Sequence, residues 1–337
     1  MTSRELVYKT IEFQNTSGRV PRHLWYLPWA ELYHRDALRK IISDFGWDIT
    51  TAPCEYARPP KTEGDPYRIG SYTDEWGCRF RNIQNGVFGE VEEPIVSDER
   101  WNDAANVNIP TELLTFDADA VNRFCAERSQ FVLAGFVARP FEQLQFMRGS
   151  QNLFVDLADP PPNMISFIKR VHDLYCAAHE KWAKTDVDAL YVMDDWGSQT
   201  SLLIDPKIWR ELFKPLYADY FAIAKTYGKK IFMHSDGNTL SIIPHLIEMG
   251  LDALNTQIFC IGLENLAPFK GKLAFWGEID RQRLIPFGAP DEIDAAVDSV
   301  FDTLWDNGGC IAQCEFGAMG DPKNVRRIFE RWESFAR

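Results

Sequence analysis

The sequence predicts a single (β/α)8 (TIM) barrel, in which eight parallel strands each lead into a helix. Short runs rich in β-branched and aromatic residues alternate with longer segments of helical periodicity, which is typical of a parallel α/β fold. The strand-like runs number eight. An open doubly wound sheet is the rival, but no G-x-G-x-x-G motif follows the first run, and no G-x-x-x-x-G-K-[ST] motif occurs. We therefore expect one barrel domain over residues 1–337.

The predicted strands are short apolar runs that end in polar or turn-forming residues. They are 19–27, 47–56, 130–138, 188–196, 229–236, 251–258, 272–280 and 308–316. The clearest helical patterns cover 164–184, 206–228, 240–250, 291–308 and 322–335. Pro215 and Pro244 fall inside two of these patterns and are expected to kink or interrupt their helices.

Residues 61–110 break the alternation of strand and helix. Aromatic and polar residues alternate there around Asn85-Gly86, a dipeptide that favours a tight turn between two strands. We expect a β-hairpin region inserted after the second strand of the barrel.

Composition excludes several classes of function. The net charge of -13 disfavours nucleic acid as a partner, because phosphate binding needs a basic surface. No apolar run approaches about 18 residues, so no membrane span is expected, and the N-terminal segment lacks the apolar stretch of a secretory signal. Seven cysteines without regular spacing disfavour a disulfide framework and favour a cytoplasmic location.

Polar side chains gather where the last five predicted strands end. In a (β/α)8 barrel the active site lies at these carboxyl ends. The side chains are Asp194, Asp195 and Trp196, then His234 and Asp236, Asn255 and Gln257, Glu278 and Asp280, and finally Cys310, Cys314 and Glu315. Asp280 serves equally well as the cap of the next helix.

His234, Asp236 and Cys314 form the candidate metal site. Residues two apart on a strand face the same side, so His234 and Asp236 can project together. Imidazole, carboxylate and thiolate are ligands that zinc prefers. The alternative interpretation is that the strand simply ends in polar residues and that His234 is a core histidine whose hydrogen bonds are made within the protein. A second alternative is a glycoside hydrolase in which Asp194, Asp195 and Glu278 act as general acid and base. A serine hydrolase is disfavoured, because the sequence has no G-x-S-x-G motif.

Long segments of the chain resemble the uroporphyrinogen decarboxylase superfamily. These segments include "DDWGSQTSLLIDPKIW" with "KKIFMHSDGN", "FWGEIDRQRLIPFG", "GGCIAQCEFGAMGDPKN" and the early "DEWGCRFRNIQNGVFGEV". Within the superfamily, the chain is more similar to the cobalamin-dependent methyltransferase branch. Three departures disfavour the decarboxylase reaction: "HLWYLPWAEL" stands in place of an R-Q-A-G-R motif, Phe146 in place of a tyrosine, and Cys314 near the position of a histidine.

The resemblance implies a zinc-dependent methyltransferase that moves a methyl group between a small molecule and a corrinoid. The branch carries His-x-Cys on the fifth strand and a cysteine near the eighth, so His234, Asp236 and Cys314 are the implied ligands, with Asp236 in place of the usual cysteine. Carboxylate oxygen is a competent zinc ligand, and such a site suits an O-methyl donor.

The remaining candidate residues surround this site. We expect acid–base roles for Glu278 and Asp195, with Glu278 also a reserve ligand and Glu315 in contact with the ligands. The expected substrate-binding residues are Trp25, Tyr26, Asp194, Trp196 and Gln257. The chain has no D-x-H-x-x-G motif, so the corrinoid (cobalamin) is expected on a partner protein. The alternatives are a metal-independent decarboxylase or lyase acting on a small carboxylated substrate, and a barrel that only binds a ligand.

Overall fold

The computed structural model describes residues 1–336 and has the predicted barrel. Its strands are β1 (Arg22–Tyr26), β2 (Ile49–Thr51), β3 (Gly70–Thr73), β4 (Arg79–Asn82), β5 (Glu90–Glu93), β6 (Phe131–Ala138), β7 (Ala189–Met193), β8 (Lys230–Ser235), β9 (Ala253–Thr256), β10 (Ala274–Phe275) and β11 (Ala312–Phe316). All eight predicted barrel strands are confirmed, as β1, β2 and β6 to β11.

The helices follow the strands in the expected alternation. They are α1 (Ser3–Ile11), α2 (Pro28–Tyr33), α3 (Arg35–Phe45), α4 (Ala118–Ala126), α5 (Glu142–Arg148), α6 (Ser150–Ala158), α7 (Pro162–Ala183), α8 (Pro206–Ile208), α9 (Lys214–Thr226), α10 (Ile243–Met249), α11 (Ile258–Ile261), α12 (Leu263–Leu266), α13 (Leu284–Phe287), α14 (Pro290–Leu304) and α15 (Pro322–Glu333). No helix within residues 1–336 is both long enough and apolar enough to cross a membrane.

The barrel closes through parallel pairing. Six strands form one sheet in the order β2-β6-β7-β8-β9-β10, and β1 pairs with β11. Parallel bridges from Phe275 to Cys310 and from Glu278 to Gln313 join β10 to the chain of β11. Between β1 and β2, the Asp48 N–H donates to the carbonyl of Arg22 at 2.9 Å. All eight strands therefore end at the same rim of the barrel.

Two separate apolar clusters lie on the two faces of the barrel wall. Inside the barrel, Phe131, Tyr191, Phe232 and Trp276 belong to one cluster. The intervening residues belong to the cluster between strands and helices, which includes Val132, Leu190, Val192, Met233 and Leu254. Successive side chains of a strand point to opposite faces. Each residue at a strand end is therefore directed either into the barrel or into the helical layer.

The two prolines expected to kink or interrupt their helices lie where α9 and α10 begin. After α8, residues Trp209–Phe213 form a π-helical turn, and α9 begins next with Pro215 in its first turn. Pro244 likewise lies in the first turn of α10. Pro244 is tolerated there because its missing N–H has no intrahelical acceptor in a first turn. Pro215 instead lies just after the π-helical turn, where the regular α-helical hydrogen-bond pattern is already interrupted.

The region after β2 carries the predicted insertion. Strands β3, β4 and β5 form an antiparallel sheet, so the hairpin expected in 61–110 is extended by one strand. Gly86 lies in the β4–β5 connection at φ +82° and contacts α2, where the Trp29 N–H donates to the Gly86 carbonyl at 3.1 Å. Because α2 follows the carboxyl end of β1, the insertion covers part of the barrel mouth.

Candidate active site

Three side chains at the ends of β7 and β8 form a compact cluster. One ligand atom each from Asp195, His234 and Asp236 lies within 4.8 Å of the other two. His234 Nε2 is 3.4 Å from Asp195 Oδ1 and 3.6 Å from Asp236 Oδ1. The exposed fraction of the side chain is 8% for His234, 25% for Asp236 and 40% for Asp195. The cluster is therefore buried in the barrel on the side of His234 and exposed at the barrel mouth on the side of Asp195.

Asn255 on β9 fixes the orientation of the His234 ring. The Asn255 amide Nδ2 donates to the carbonyl of Trp276, so its Oδ1 faces His234 and accepts from Nδ1 at 2.6 Å. This arrangement places a proton on Nδ1 and directs Nε2 to the two carboxylates. A second hydrogen bond of this kind is usual for a histidine that binds a metal.

The carboxylates Asp195 and Asp236 are held together by the turns that follow their strands. The Asp236 N–H donates to Asp195 Oδ1 at 3.1 Å, and the Gly197 N–H donates to the Asp236 carbonyl at 3.0 Å. A Cβ on Gly197 would overlap the backbone of Gly237 and Asn238. Gly237 itself has φ +75°, which disfavours side chains. The two glycines thus allow the two strand ends to approach closely.

Arg281, which is not among the predicted site residues, connects the cluster to two further carboxylates. Its guanidinium donates to Asp236 Oδ2, to Glu315 Oε2 at 3.1 Å and to Glu278 Oε1 at 3.4 Å. Burial raises the pKa of Glu278, whose residue is only 2% exposed, although Arg281 opposes the shift. The sequence feature that could have identified Arg281 is its position directly after Glu278 and Asp280, the carboxylates at the end of the seventh predicted strand.

The positive charge of His234 and the negative charges of Asp195 and Asp236 stabilise one another. Burial alone would lower the pKa of His234, but the carboxylates of Asp195 and Asp236 raise it to about 9. Burial would likewise raise the pKa of Asp195, and the hydrogen bond with His234 lowers it instead. In the absence of a metal the cluster is thus an imidazolium between two carboxylates at neutral pH.

The donor atoms fit a divalent metal ion. Asp236 Oδ1 is buried and has no hydrogen-bond partner among the described residues, while Oδ2 is bound by Arg281. The cluster supplies one imidazole nitrogen and two carboxylate groups, which are competent ligands for zinc and for other divalent ions that prefer oxygen. Arg281 would orient Asp236 while leaving Oδ1 free.

The structure corrects the expectation for Cys314. In the parallel pair of β1 and β11, Cys314 lies beside Leu24 and Glu315 lies beside Trp25. The Trp25 ring lies inside the barrel, 5.1 Å from the His234 ring, whereas Cys314 belongs to the outer apolar cluster. Glu315 therefore faces the site, and Cys314 does not join the cluster. Burial also raises the pKa of the Cys314 thiol, which disfavours the thiolate that binds metal.

Asp194 and Trp196 are also displaced from their expected place in the substrate pocket. Asp194 is fully buried and accepts hydrogen bonds from the backbone N–H groups of Phe141 and Glu142 and from the hydroxyl of Tyr217. The Trp196 ring is fully buried and stacks on Phe141 at 4.1 Å. Both side chains point outward because they alternate with Asp195, so Asp194 and Asp195 cannot act as an acid–base pair on one substrate.

Of the other predicted substrate contacts, Trp25 and Gln257 lie near the cluster. Gln257 Oε1 accepts from the Gly237 N–H at 3.2 Å, and its side chain lines a cavity of about 130 Å³ together with Glu278 and Arg281. Tyr26 is 40% exposed on the rim. Asp280 caps the next turn, accepting from the N–H groups of residues 282 and 283 at 2.9 Å.

Comparison with known proteins identifies the family. The family model described as "Uroporphyrinogen decarboxylase (URO-D)" matches residues 69–335, so the chain belongs to this family. Among solved structures, a methyltransferase from Methanosarcina mazei is similar over 100% of both chains, with a TM-score of 0.70 and 11% identity, which shows a shared fold. No curated protein matches the sequence.

Two further solved structures are similar at lower TM-scores. A 3-keto-D-glucoside 4-epimerase from E. coli has a TM-score of 0.39 and 13% identity over 66% of this chain and 85% of that chain. A B12-independent methionine synthase from Shewanella sp. W3-18-1 has a TM-score of 0.47 and 10% identity over 95% of both chains.

Proposed function

We propose that this chain is a metal-dependent methyltransferase that moves a methyl group between a small molecule and a corrinoid cofactor held by a partner protein. The observation that carries the proposal is the convergence of Asp195, His234 and Asp236 at the mouth of the barrel. The fold shared with the M. mazei methyltransferase agrees with this function. The family also includes decarboxylases, but Phe146 replaces the tyrosine that the resemblance to the decarboxylase requires.

Asp195, His234 and Asp236 would hold zinc in this proposal. When bound, the metal would supply Lewis acidity to the oxygen of an O-methyl substrate. Asn255 would keep His234 Nε2 directed at the ion, and Arg281 would hold Asp236. Glu278 has a pKa raised by burial, so it can hold a proton near neutral pH and donate it to a departing oxygen.

The corrinoid would reach the site through the open mouth of the barrel. Asp195 is the most exposed of the three ligands, which leaves a side of the cluster accessible from outside. A partner protein that carries the cofactor would dock on the rim formed by the strand ends and the insertion. A cytoplasmic location stays a prediction from cysteine usage.

Arg281 favours a second candidate function, a metal-independent decarboxylase or lyase. The guanidinium neutralises Asp236 directly, so the cluster is electrostatically complete without an ion. In that case Arg281 would exchange one of its three carboxylate partners for a substrate carboxylate. His234, with a pKa of about 9, would supply a proton to the developing carbanion.

Metal analysis combined with a methyl-transfer assay separates the two functions. We expect purified protein to bind one zinc ion and to transfer methyl groups to a corrinoid protein, and His234→Ala to lose both properties. His245→Ala is the matched control, because His245 lies away from the cluster and contacts Lys214 and Glu248. Metal-free protein with full methyl transfer in His234→Ala contradicts the proposal, and chelator-resistant decarboxylation supports the second candidate.

A further inference from the structure

A second cavity lies beneath the inserted sheet and beside the candidate active site. It measures about 310 Å³, and eight of its lining residues are aromatic. Phe80 makes edge contacts with Phe88 at 4.8 Å and with Phe146 at 5.2 Å, measured between ring centroids. Trp76 and Tyr175 form a further edge contact at 6.0 Å. These rings offer both faces and edges to a flat apolar ligand.

One cationic side chain, Arg139, lines this aromatic cavity. It follows directly after β6, at the rim where the candidate active site lies. Its side chain makes one hydrogen bond to the described residues, from Nη1 to Glu142 Oε2 at 2.8 Å. The remaining N–H groups of the guanidinium stay available for a ligand, and their planar arrangement suits an oxyanion.

The aromatic cavity adjoins a cleft of the candidate active site. Phe146 lines it and also lines an adjoining cleft that contains Glu142 and Asp195. Asp194 fixes this wall, because it binds the N–H of Glu142 at 2.7 Å at the start of α5. A ligand in the aromatic cavity would therefore lie against the wall that Phe146 shares with the cleft of Asp195.

We propose that the aromatic cavity binds an aromatic ring that carries an oxyanion, either a carboxylate or a phenolate. The ring packs among Phe80, Phe146 and Trp76, and Arg139 pairs with the oxyanion. That this ligand is the substrate rests on the proposed methyltransferase function. The binding of this ligand does not rest on that function, because none of the three proposed metal ligands lines the aromatic cavity.

The aromatic cavity also contains acidic groups, which would favour a cationic ligand instead of an oxyanion. Asp74 and Glu75 also line it, and carboxylates beside aromatic rings can bind a methylated ammonium group. Asp74 Oδ1, however, accepts the N–H groups of Trp76 at 3.0 Å and Cys78 at 2.7 Å, so it closes a turn of the insertion. Arg139 would repel a cation at the end nearest Asp195.

The proposal is tested by calorimetric titration of the metal-free protein with four ligands. They are benzoate, benzyl alcohol, cyclohexanecarboxylate and phenyltrimethylammonium. We expect benzoate to bind about 10- to 100-fold more tightly than either benzyl alcohol or cyclohexanecarboxylate, because each of these lacks one of the two recognised features. Equal binding of all three, tighter binding of the ammonium compound, or no binding of benzoate overturns the proposal. This comparison needs no variant and so does not depend on folding.

Substitution of Arg139 assigns the oxyanion contact. In Arg139→Met we expect benzoate to lose about 10- to 100-fold in affinity and benzyl alcohol to be unchanged. Arg68→Gln is the matched control, because it removes a positive charge from a side chain of the insertion that is 81% exposed. Unchanged benzoate affinity in folded Arg139→Met overturns the assignment.

The variant His234→Ala separates this proposal from the proposed function. We expect it to bind benzoate as the wild type does while it loses metal and methyl transfer. If wild-type protein binds benzoate but transfers no methyl group with a corrinoid partner, the function fails and the aromatic cavity is retained. If methyl transfer occurs with substrates that are neither aromatic nor anionic, and benzoate does not bind, the cavity proposal fails and the function is retained.

Discussion

Asp194 and Asp195 are neighbours with the same side chain, yet the barrel gives them opposite environments. Asp194 points into the helical layer, where two backbone N–H groups and the Tyr217 hydroxyl bind it. Asp195 points into the barrel mouth, 3.4 Å from His234 Nε2. One carboxylate ties α5 to the barrel, and the other belongs to the candidate metal cluster.

Cys314 and Glu315 repeat this contrast on β11. Cys314 is fully buried in the outer apolar cluster, whereas Glu315 accepts a hydrogen bond from Arg281 at 3.1 Å. In both pairs, the face of the strand on which a residue lies decides whether its side chain packs in the helical layer or points into the site. The residue type does not decide it. A residue suited to chemistry therefore contributes to the site only if it faces into the barrel.

Substitution of Asp195 should give the largest effect on function. Asp195→Asn keeps an oxygen that can accept the Asp236 N–H but removes a charged ligand. Since changes behind metal ligands already cost about 10- to 100-fold, we expect at least about 100-fold lower zinc affinity and methyl transfer. The measurements are zinc titration and a methyl-transfer assay, with urea unfolding to show retained stability. Normal zinc binding in this variant contradicts the assignment of Asp195.

Substitution of Asp194 should instead act on stability. Asp194→Ala leaves three buried donors without their acceptor, and we expect a loss of about 3 kcal/mol or more in the free energy of unfolding. Zinc stoichiometry, measured at low temperature where the variant is folded, should match the wild type. A variant that loses zinc without losing stability would remove the contrast between the two aspartates.

Gly197→Ala tests whether close approach of the two strand ends is required. The added Cβ would overlap the backbone of Gly237 and Asn238 and separate Asp195 from Asp236. We expect zinc affinity to fall by about 10- to 100-fold, as for other changes that misplace metal ligands. In the control Gly228→Ala the new Cβ meets open space, and only the φ of +66° is unfavourable, at about 1–2 kcal/mol of stability. Equal zinc affinity in both variants argues against the requirement.

Cys314→Ala should give the smallest effect. The thiol makes apolar contacts in the outer cluster, so we expect a loss of about 1 kcal/mol in the free energy of unfolding and unchanged zinc stoichiometry. Inductively coupled plasma mass spectrometry of the purified variant measures the metal directly. Zinc-free Cys314→Ala protein that is still folded would restore Cys314 as a ligand.

Much of the fold could be predicted from the sequence because each strand and helix leaves a local periodic pattern. The fifth strand, for example, is predicted over 229–236, and β8 covers Lys230–Ser235. His234 and Asp236 could be paired on the same basis, because a spacing of two residues preserves the face of a strand.

The rest of the site could not be predicted, because it depends on which face of a strand points inward. In the run 308–316 Cys314 lies on one face and Glu315 on the other, but the alternation alone does not say which face points into the barrel. The same ambiguity affected Asp194 and Asp195. Arg281 lies in an irregular segment after β10, and only the closed barrel brings it to Asp236, Glu278 and Glu315.

X-ray absorption spectroscopy of the zinc-loaded protein tests the central claim most directly. If Asp195, His234 and Asp236 are the ligands and Cys314 is not, the zinc ion has only nitrogen and oxygen neighbours, at about 2.0–2.2 Å. We expect this result. A sulfur neighbour at about 2.3 Å would contradict it, and so would a protein that binds no zinc at all.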